Sequence, residues 1–210
     1  MGDADLSEGL RVPPVHEVGR RTFKPWGLAP LTGVPAAMLG LPVPVEAVWG
    51  AMATELADRL DSAATPGAML DLLEAALLAH LRPMAGLGLV HDTSTQISRR
   101  AGSLSIASLT EEAGVSGTHL AAQFKHLVGV TPKRLARTYR FARVVSSIDP
   151  ACEVDWAEVA HRAGYHDQPH FNQELRQFTG LTPTGYLDLR RRFAAEHPGS
   201  ALNVGLLPSV

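Results

Sequence analysis

The sequence predicts a mainly α-helical protein whose C-terminal half contains one folding unit twice. Hydrophobic residues make up 45% of the 210 residues and aromatic residues only 6%, so the core must come mostly from Leu, Val and Ala. The unit occurs at residues 106–132 (IASLTEEAGVSGTHLAAQFKHLVGVTP) and again at residues 156–183 (WAEVAHRAGYHDQPHFNQELRQFTGLTP). In both segments an apolar stripe, a glycine, a second stripe, another glycine and a Thr-Pro pair follow in the same order, which indicates a repeat.

The second copy predicts two short helices joined by a tight turn. Gly164 ends the first helix, Asp167 stands at an N-cap position, and Pro169 falls in the first turn of the next helix. That helix carries an apolar stripe of Phe171, Leu175 and Phe178. Two short helices joined by a Gly-containing turn form a helix-turn-helix unit, whose second helix enters the DNA major groove.

The N-terminal third predicts a small helical hairpin. Apolar residues recur every four positions from Val45 to Ala64, which predicts one helix. Thr65 and Pro66 form the start of a second helix that stops before Pro83. Two helices supply little core for about 80 residues. We therefore expect exposed apolar surface, which a homodimer through these helices or docking on the C-terminal half would cover.

Little regular structure is predicted in front of the hairpin. Residues 1–17 are polar and predict a disordered arm. The segment 18–41 is dense in Gly and Pro, so it predicts at most a short strand around Arg20–Phe23 and a helical turn around Ala36–Gly40.

These patterns divide the chain into three segments. We expect an N-terminal region over residues 1–85, a double helix-turn-helix domain over residues 91–193, and a loose tail over residues 194–210. A short helix around Thr93–Arg99 precedes the first copy. A long helix from Pro132 to Ile148 joins the copies and would fix their separation, so that two recognition helices could enter successive major grooves, about 34 Å apart.

Basic residues are clustered although the net charge is −2. The connecting helix carries Lys133, Arg134, Arg137, Arg140 and Arg143, and Arg190–Arg192 form a second run. Attraction of DNA phosphates depends on such local clusters rather than on the mean charge. The alternative interpretation of each residue is a solvated helix face.

Several functional classes are disfavoured by the sequence. No run of 18 apolar residues predicts a membrane span, and the acidic N-terminus does not resemble a signal peptide. The single cysteine, Cys152, excludes an internal disulfide framework and fits a reducing cytoplasm. No nucleophile–His–acid set, phosphate loop or dinucleotide motif is present, so we expect neither an enzyme nor a bound cofactor.

A metal site and a reactive thiol are the two remaining chemical alternatives. His161, His166 and His170 are the best metal candidates, but His166 should precede the helix that contains His170, which spoils their spacing. We therefore expect no metal. Cys152 lies in the acidic stretch Asp-Pro-Ala-Cys-Glu-Val-Asp, which should raise its pKa and reduce its reactivity.

The second copy resembles the C-terminal domain of AraC/XylS-type bacterial transcription regulators. The residues that carry the resemblance are Gly164, Tyr165, Asp167, Phe171, Leu175, Arg176, Gly180, Thr182 and Pro183. The resemblance covers about residues 91–193 and implies a cytoplasmic protein that binds double-stranded DNA at promoters, with RNA polymerase as a candidate partner. The N-terminal region resembles, more weakly, a truncated sensor module.

The resemblance also implies which residues face DNA. In the first copy these are Gly117, Thr118, Ala121 and Ala122, flanked by Gln123 and Lys125. In the second copy they are Gln168, His170 and Gln173, with Asn172 and Arg176 towards the backbone. Arg137 and Arg140 on the connecting helix are predicted phosphate contacts.

The two predicted recognition helices differ in what they can read. Members of this family often carry Arg at the places held here by Ala122 and Gln173. Ala121 and Ala122 cannot make a bidentate hydrogen bond to guanine, so we expect most base reading from the second copy. The alternative is an interaction module that modulates a full-length regulator through the N-terminal hairpin.

Overall fold

The computed structural model describes residues 24–34 and 44–196 of the chain. Within these residues the structure contains eleven helices and no strand, which confirms the predicted mainly α fold. The helices are α1 (Leu28–Thr32), α2 (Val45–Trp49), α3 (Ala51–Asp61), α4 (Pro66–His80), α5 (Leu87–Arg99), α6 (Ile106–Ala113), α7 (Gly117–Val128), α8 (Pro132–Ser147), α9 (Trp156–Arg162), α10 (Gln168–Thr179) and α11 (Pro183–Glu196).

The hairpin is built from three helices rather than two. The prediction of one helix from Val45 to Ala64 is wrong, because Gly50 adopts φ 62° and ψ −139° and separates α2 from α3. A non-glycine residue rarely takes this backbone conformation. The second hairpin helix begins as predicted, since the Thr65 side chain accepts a hydrogen bond from the Ala68 amide at 3.2 Å and Pro66 follows it. The short strand and helical turn predicted before the hairpin lie outside the described residues.

The helix in front of the first unit is longer than predicted. It begins at Leu87 rather than near Thr93 and runs for 13 residues. Its inner face combines Val90 and Ile97 with the buried small polar residues Thr93 and Ser94. The Thr93 hydroxyl donates to the Leu89 carbonyl at 2.6 Å, which allows this polar group to be buried within a helix.

Two separate apolar clusters hold the C-terminal half. The first surrounds α6 and α7, called here the first unit, and is completed by α5 and the start of α8. The second surrounds α9 and α10, called here the second unit, and is completed by the end of α8 and by α11. The connecting helix α8 thus contributes side chains to both clusters, Leu135 and Tyr139 to the first and Val144 to the second.

Helix α1 is packed against the first unit. Ala29 is fully buried in the first cluster, and Trp26 contacts the same cluster and meets the His91 ring edge-on at 4.9 Å between centroids. The Arg82 amide donates to the Pro30 carbonyl at 3.0 Å. Contacts therefore cross the boundary that we placed between residues 85 and 91, and the division into domains stays a prediction.

The hairpin exposes apolar side chains. Leu78, Met52 and Leu81 are 61%, 52% and 51% exposed, so the predicted apolar surface is present. A homodimer through it stays a prediction. None of the described helices has the length and apolar character that crossing a bilayer demands.

Candidate nucleic-acid interface

Local backbone contacts fix the turn of the second unit. The Tyr165 amide donates to the Ala160 carbonyl at 3.0 Å across Gly164, which ends α9. Asp167 then caps α10, because its carboxylate accepts a hydrogen bond from the His170 amide at 2.7 Å. Both features were predicted from the sequence. Phe171 and Leu175 are fully buried and anchor α10 to the second cluster.

The outer face of α10 presents polar side chains to solvent. The exposed residues among those predicted are Gln168, His170, Gln173 and Arg176, whereas Asn172 is half-buried. The buried amide oxygen of Asn172 has no hydrogen-bond partner in the described structure. The structure thus brings together an amide, an imidazole and a guanidinium on one helix face, which are groups that contact base edges and phosphates.

The predicted DNA-facing positions of α7 carry fewer hydrogen-bonding groups than those of α10. Ser116 caps this helix by accepting from the His119 amide at 3.2 Å. Gly117, Thr118, Ala122 and Lys125 are exposed and Ala121 is half-buried. Apart from the Thr118 hydroxyl and the Lys125 ammonium, these positions offer DNA only small apolar surface.

Gln123 turns away from the predicted interface. A Cβ atom placed on Gly86, at the start of α5, would lie 2.1 Å from the Gln123 Oε1 atom. The Gln123 amide is therefore packed against the Gly86 backbone, and its contact with DNA stays a prediction that this geometry does not favour.

The basic residues of α8 divide into two groups. Arg137 donates from Nε to Glu174 Oε2 at 2.8 Å, Arg140 donates from Nη2 to the Gly102 carbonyl at 3.0 Å, and Arg143 donates to the Arg162 carbonyl. Lys133 and Arg134 are exposed, and their side chains have no hydrogen bond or ion pair within the described residues. The phosphate contacts predicted for Arg137 and Arg140 stay predictions, since both guanidiniums are held by protein groups.

The second basic run is also used inside the protein. Arg190 donates to the Val145 carbonyl at 2.8 Å, and Arg191 donates to the carbonyls of Pro150 and Cys152 at 2.8 and 3.1 Å. The Val145 carbonyl belongs to the last turn of α8, where a helix leaves acceptors without intrahelical partners. The other two carbonyls lie in the loop that follows α8. The sequence pattern did not indicate that Arg190 and Arg191 lie next to the end of α8.

One buried acid was overlooked in the sequence. Glu174 is only 3% exposed although it belongs to the recognition helix, and its Oε1 accepts from the Tyr165 hydroxyl at 2.8 Å. Burial, followed by the hydrogen bond and the charge of Glu174, raises the pKa of Tyr165, so Tyr165 remains a donor. The available signal was its spacing, because Glu174 lies three residues after Phe171 and beside Leu175 on the apolar stripe.

A cleft of about 610 Å³ lies between the first unit and α10. Its walls carry Lys133, Arg137 and Arg140 from α8 and His170 and Gln173 from α10, together with the N-terminal end of α6. The cleft therefore lies where the two units meet, and its lining combines these cations with Glu174 and with the apolar side chains of Leu104, Ile106 and Ala136.

The chemical alternatives receive no support from the described residues. In that part of the chain no three His, Cys, Asp or Glu side chains are grouped as metal ligands would be. Cys152 is exposed, and its thiol donates to Asp149 Oδ2 at 3.4 Å. This hydrogen bond and the Asp149 charge raise the pKa of Cys152, as its acidic surroundings predicted.

Comparison with known proteins identifies the repeated unit. Residues 109–189 match a family described as a helix-turn-helix domain. The chain carries an AraC-type helix-turn-helix domain. The matched part of this AraC-type domain runs from within α6 to within α11 and includes α7 and α10, the two predicted recognition helices. No curated protein and no solved structure matches the chain. The AraC-type domain supports DNA-binding transcription regulator activity and points to a regulator rather than to an enzyme.

Proposed function

We propose that the protein regulates transcription by binding specific DNA sequences through two adjacent major grooves, and that the second unit reads most of the bases. The observation that carries this proposal is the contrast between the exposed faces of α7 and α10. Gln168, His170 and Gln173 on α10 offer hydrogen-bonding groups, whereas Ala121 and Ala122 on α7 offer none. A bidentate Gln–adenine contact discriminates by about 1–3 kcal/mol.

The first unit serves mainly to position the domain on DNA. Lys125, Lys133 and Arg134 are exposed cations at the end of α7 and the start of α8. Each cation that meets a phosphate releases counterions and steepens the dependence of affinity on salt. Arg176 supplies a comparable cation on α10.

Location and partners follow from DNA binding. A regulator of bacterial promoters works in the cytoplasm, beside the chromosome. Binding at a promoter also brings the chain next to RNA polymerase, which we keep as a candidate partner.

Selection from a randomised duplex library tests base reading. The full-length chain should enrich a defined sequence motif from randomised double-stranded DNA. Gln173→Ala should relax preference at one position of that motif by about 1–3 kcal/mol, while affinity for the rest of the motif changes little. The measurement is the enrichment of each base at each position, combined with binding isotherms for single-base variants of the selected site.

Gln123→Ala is the matched control. It removes the same amide group from a recognition helix, but from a side chain packed against Gly86. Its selected motif should equal that of the original chain. Failure of the full-length chain to enrich any motif would refute sequence-specific binding, and an equal loss at all positions in Gln173→Ala would remove Gln173 from the reading set.

A further inference from the structure

A buried acid connects the second recognition helix to the connecting helix. The Glu174 carboxylate accepts one hydrogen bond from Arg137 Nε on α8 and another from the Tyr165 hydroxyl in the turn of the second unit, both at 2.8 Å. A carboxylate buried to this extent is costly unless it is paired. Both of its oxygens are paired here, by groups from two other segments of the chain.

Arg137 holds α10 at more than one point. Besides its bond to Glu174, it donates from Nη2 to the Gln177 side chain, and its guanidinium carbon lies 5.7 Å from the centroid of the Phe178 ring. Glu174, Gln177 and Phe178 lie within about one turn of α10. A planar guanidinium that contacts all three resists rotation of α10 about its own axis.

Arg140 extends these contacts to the first unit. Its guanidinium carbon lies 5.4 Å from the centroid of the Tyr165 ring, and its Nη2 donates to the Gly102 carbonyl in the loop between α5 and α6. Gly102 itself is pressed against α8, because a Cβ atom there would lie 1.9 Å from the Ala136 carbonyl oxygen. These contacts therefore link the loop that precedes the first unit to the second recognition helix, through Arg140, the Tyr165 ring and Glu174.

We propose that this polar relay, formed by Arg137, Arg140, Tyr165 and Glu174, determines which separation between two DNA half-sites the protein accepts. The relay sets the distance and rotation of α10 relative to α7. Glu174 and Tyr165 are buried, so these two residues act on α10 by positioning it rather than by contacting DNA. The proposal rests on the proposed function, since half-sites exist only if both units enter DNA.

Hydrogen bonds, which have a preferred direction, are suited to fixing the position of α10 relative to α7. Apolar helix surfaces can repack with small shifts, whereas charge-assisted hydrogen bonds have a narrow range of productive geometry. Buried ion pairs often add little net stability compared with apolar residues of similar volume, and a gain in structural specificity is one reason for their presence. The relay should therefore affect the geometry of the domain more than its stability.

The variant that tests the relay removes its polar groups together. Arg137→Leu/Tyr165→Phe/Glu174→Leu removes the buried carboxylate together with both of its donors, so none of these three groups is left without its partner and the chain should fold. The matched control is Arg100→Leu/Glu112→Leu, which deletes an exposed ion pair of 3.6 Å between the end of α5 and α6 of the first unit. Circular dichroism and thermal unfolding of the full-length chains establish folding in both cases.

The first measurement needs no DNA. Spin labels are attached to Ala107→Cys on α6 and Ala157→Cys on α9, in a Cys152→Ser background, because both alanines are exposed. Pulsed electron–electron double resonance should give one narrow distribution of the distance between the spin labels, both for the chain with the original relay and for the control. The triple variant should give a distribution at least twice as wide, and an unchanged width would overturn the proposal.

The second measurement uses randomised duplex DNA. The original chain and the control should enrich two half-sites at one separation. The triple variant should enrich the same half-sites at several separations. A single, unchanged separation in the triple variant would overturn the relay proposal while leaving the proposed function intact. If the original chain enriches nothing, the proposed function itself fails, and the proposal about half-site spacing fails with it.

Discussion

The two helix-turn-helix units share a backbone plan but are held in place by different forces. The first unit rests on a large apolar cluster to which α1, α5 and α8 contribute, with Phe124, Leu120 and Leu127 fully buried. The second unit has a smaller apolar cluster and a set of directed polar contacts to α8. Repetition of a folding unit therefore fixes its helices and turns, while the means of anchoring it can differ between copies.

This difference parallels the chemistry of the exposed faces. The unit with the larger apolar cluster presents Gly117 and Ala122, and the unit that adds the Arg137–Glu174 contact to its apolar cluster presents Gln168 and Gln173. A helix that reads bases must hold its hydrogen-bonding groups in a fixed orientation, because hydrogen bonds weaken steeply with misalignment. Directed anchoring of α10 is consistent with the reading role proposed for it.

Removal of the N-terminal segment should produce the largest contrast between the units. The sequence predicts that deletion of residues 1–85 leaves a folded DNA-binding segment, but Trp26, Ala29 and Met84 pack on the first cluster. Loss of this packing should destabilise the first unit by about 3–5 kcal/mol, the range for deleting large core side chains. Amide hydrogen exchange, followed residue by residue, should show faster opening of α6 and α7.

The second unit supplies the internal control for this deletion. Among the described residues its cluster begins at Phe141, so exchange in α9 and α10 should change little. Equal loss of protection in both units would show that they unfold together, and full retention in both would restore the predicted boundary.

Breaking the ion pair that links each unit to a neighbouring helix should give a smaller contrast. Arg137→Ala leaves the Glu174 carboxylate, whose side chain is 4% exposed, without its cation. We expect a loss of about 2–3 kcal/mol in the free energy of unfolding, below the range for fully buried pairs because Arg137 is 32% exposed. Arg100→Ala breaks a pair whose side chains are 49% and 45% exposed, so its cost should be at most about 0.5 kcal/mol. Urea unfolding of the full-length variants measures both values, and similar losses would contradict the difference in anchoring.

The smallest expected effect concerns the reactivity of Cys152, which lies in the loop between α8 and α9. Only the thiolate form of Cys152 reacts with iodoacetamide, and Asp149 raises the pKa of this thiol. The alkylation rate should therefore rise at higher pH than for a simple thiol. Asp149→Asn removes the negative charge, which should lower the pKa and increase the rate at pH 8. Alkylation quenched at fixed times and followed by mass spectrometry gives the rate at each pH. Coincident pH profiles for the original chain and Asp149→Asn would show that Asp149 does not control the pKa of the thiol.

Local signals in the sequence predicted several helix starts and one buried helix face correctly. The caps at Thr65 and Asp167 and the apolar stripe of α10 depend on neighbouring residues, so a single sequence is enough to predict them. The contacts of the charged side chains could not be predicted from the sequence. Arg137, Arg140 and Arg191 look like a basic surface in the sequence, but their partners lie 37 to 41 residues away.

The hairpin shows a second limit of sequence patterns. Apolar periodicity continues through Gly50, so the pattern predicts one helix, whereas the backbone at that glycine leaves the helical region. Helix propensity is a weak prior that tertiary contacts override. The Trp49 indole donates to the Leu31 carbonyl at 2.9 Å, a contact with α1 that no periodicity could have indicated.

The burial of Glu174 has a consequence for protein engineering. Recognition helices are attractive modules to graft between regulators, because their outer faces hold the base-reading groups. A graft of α10 alone would carry a buried carboxylate into a host that lacks the matching Arg137 and Tyr165. The smallest transferable module is therefore the continuous segment 132–179, which contains the acid, both of its donors and the helix that joins them.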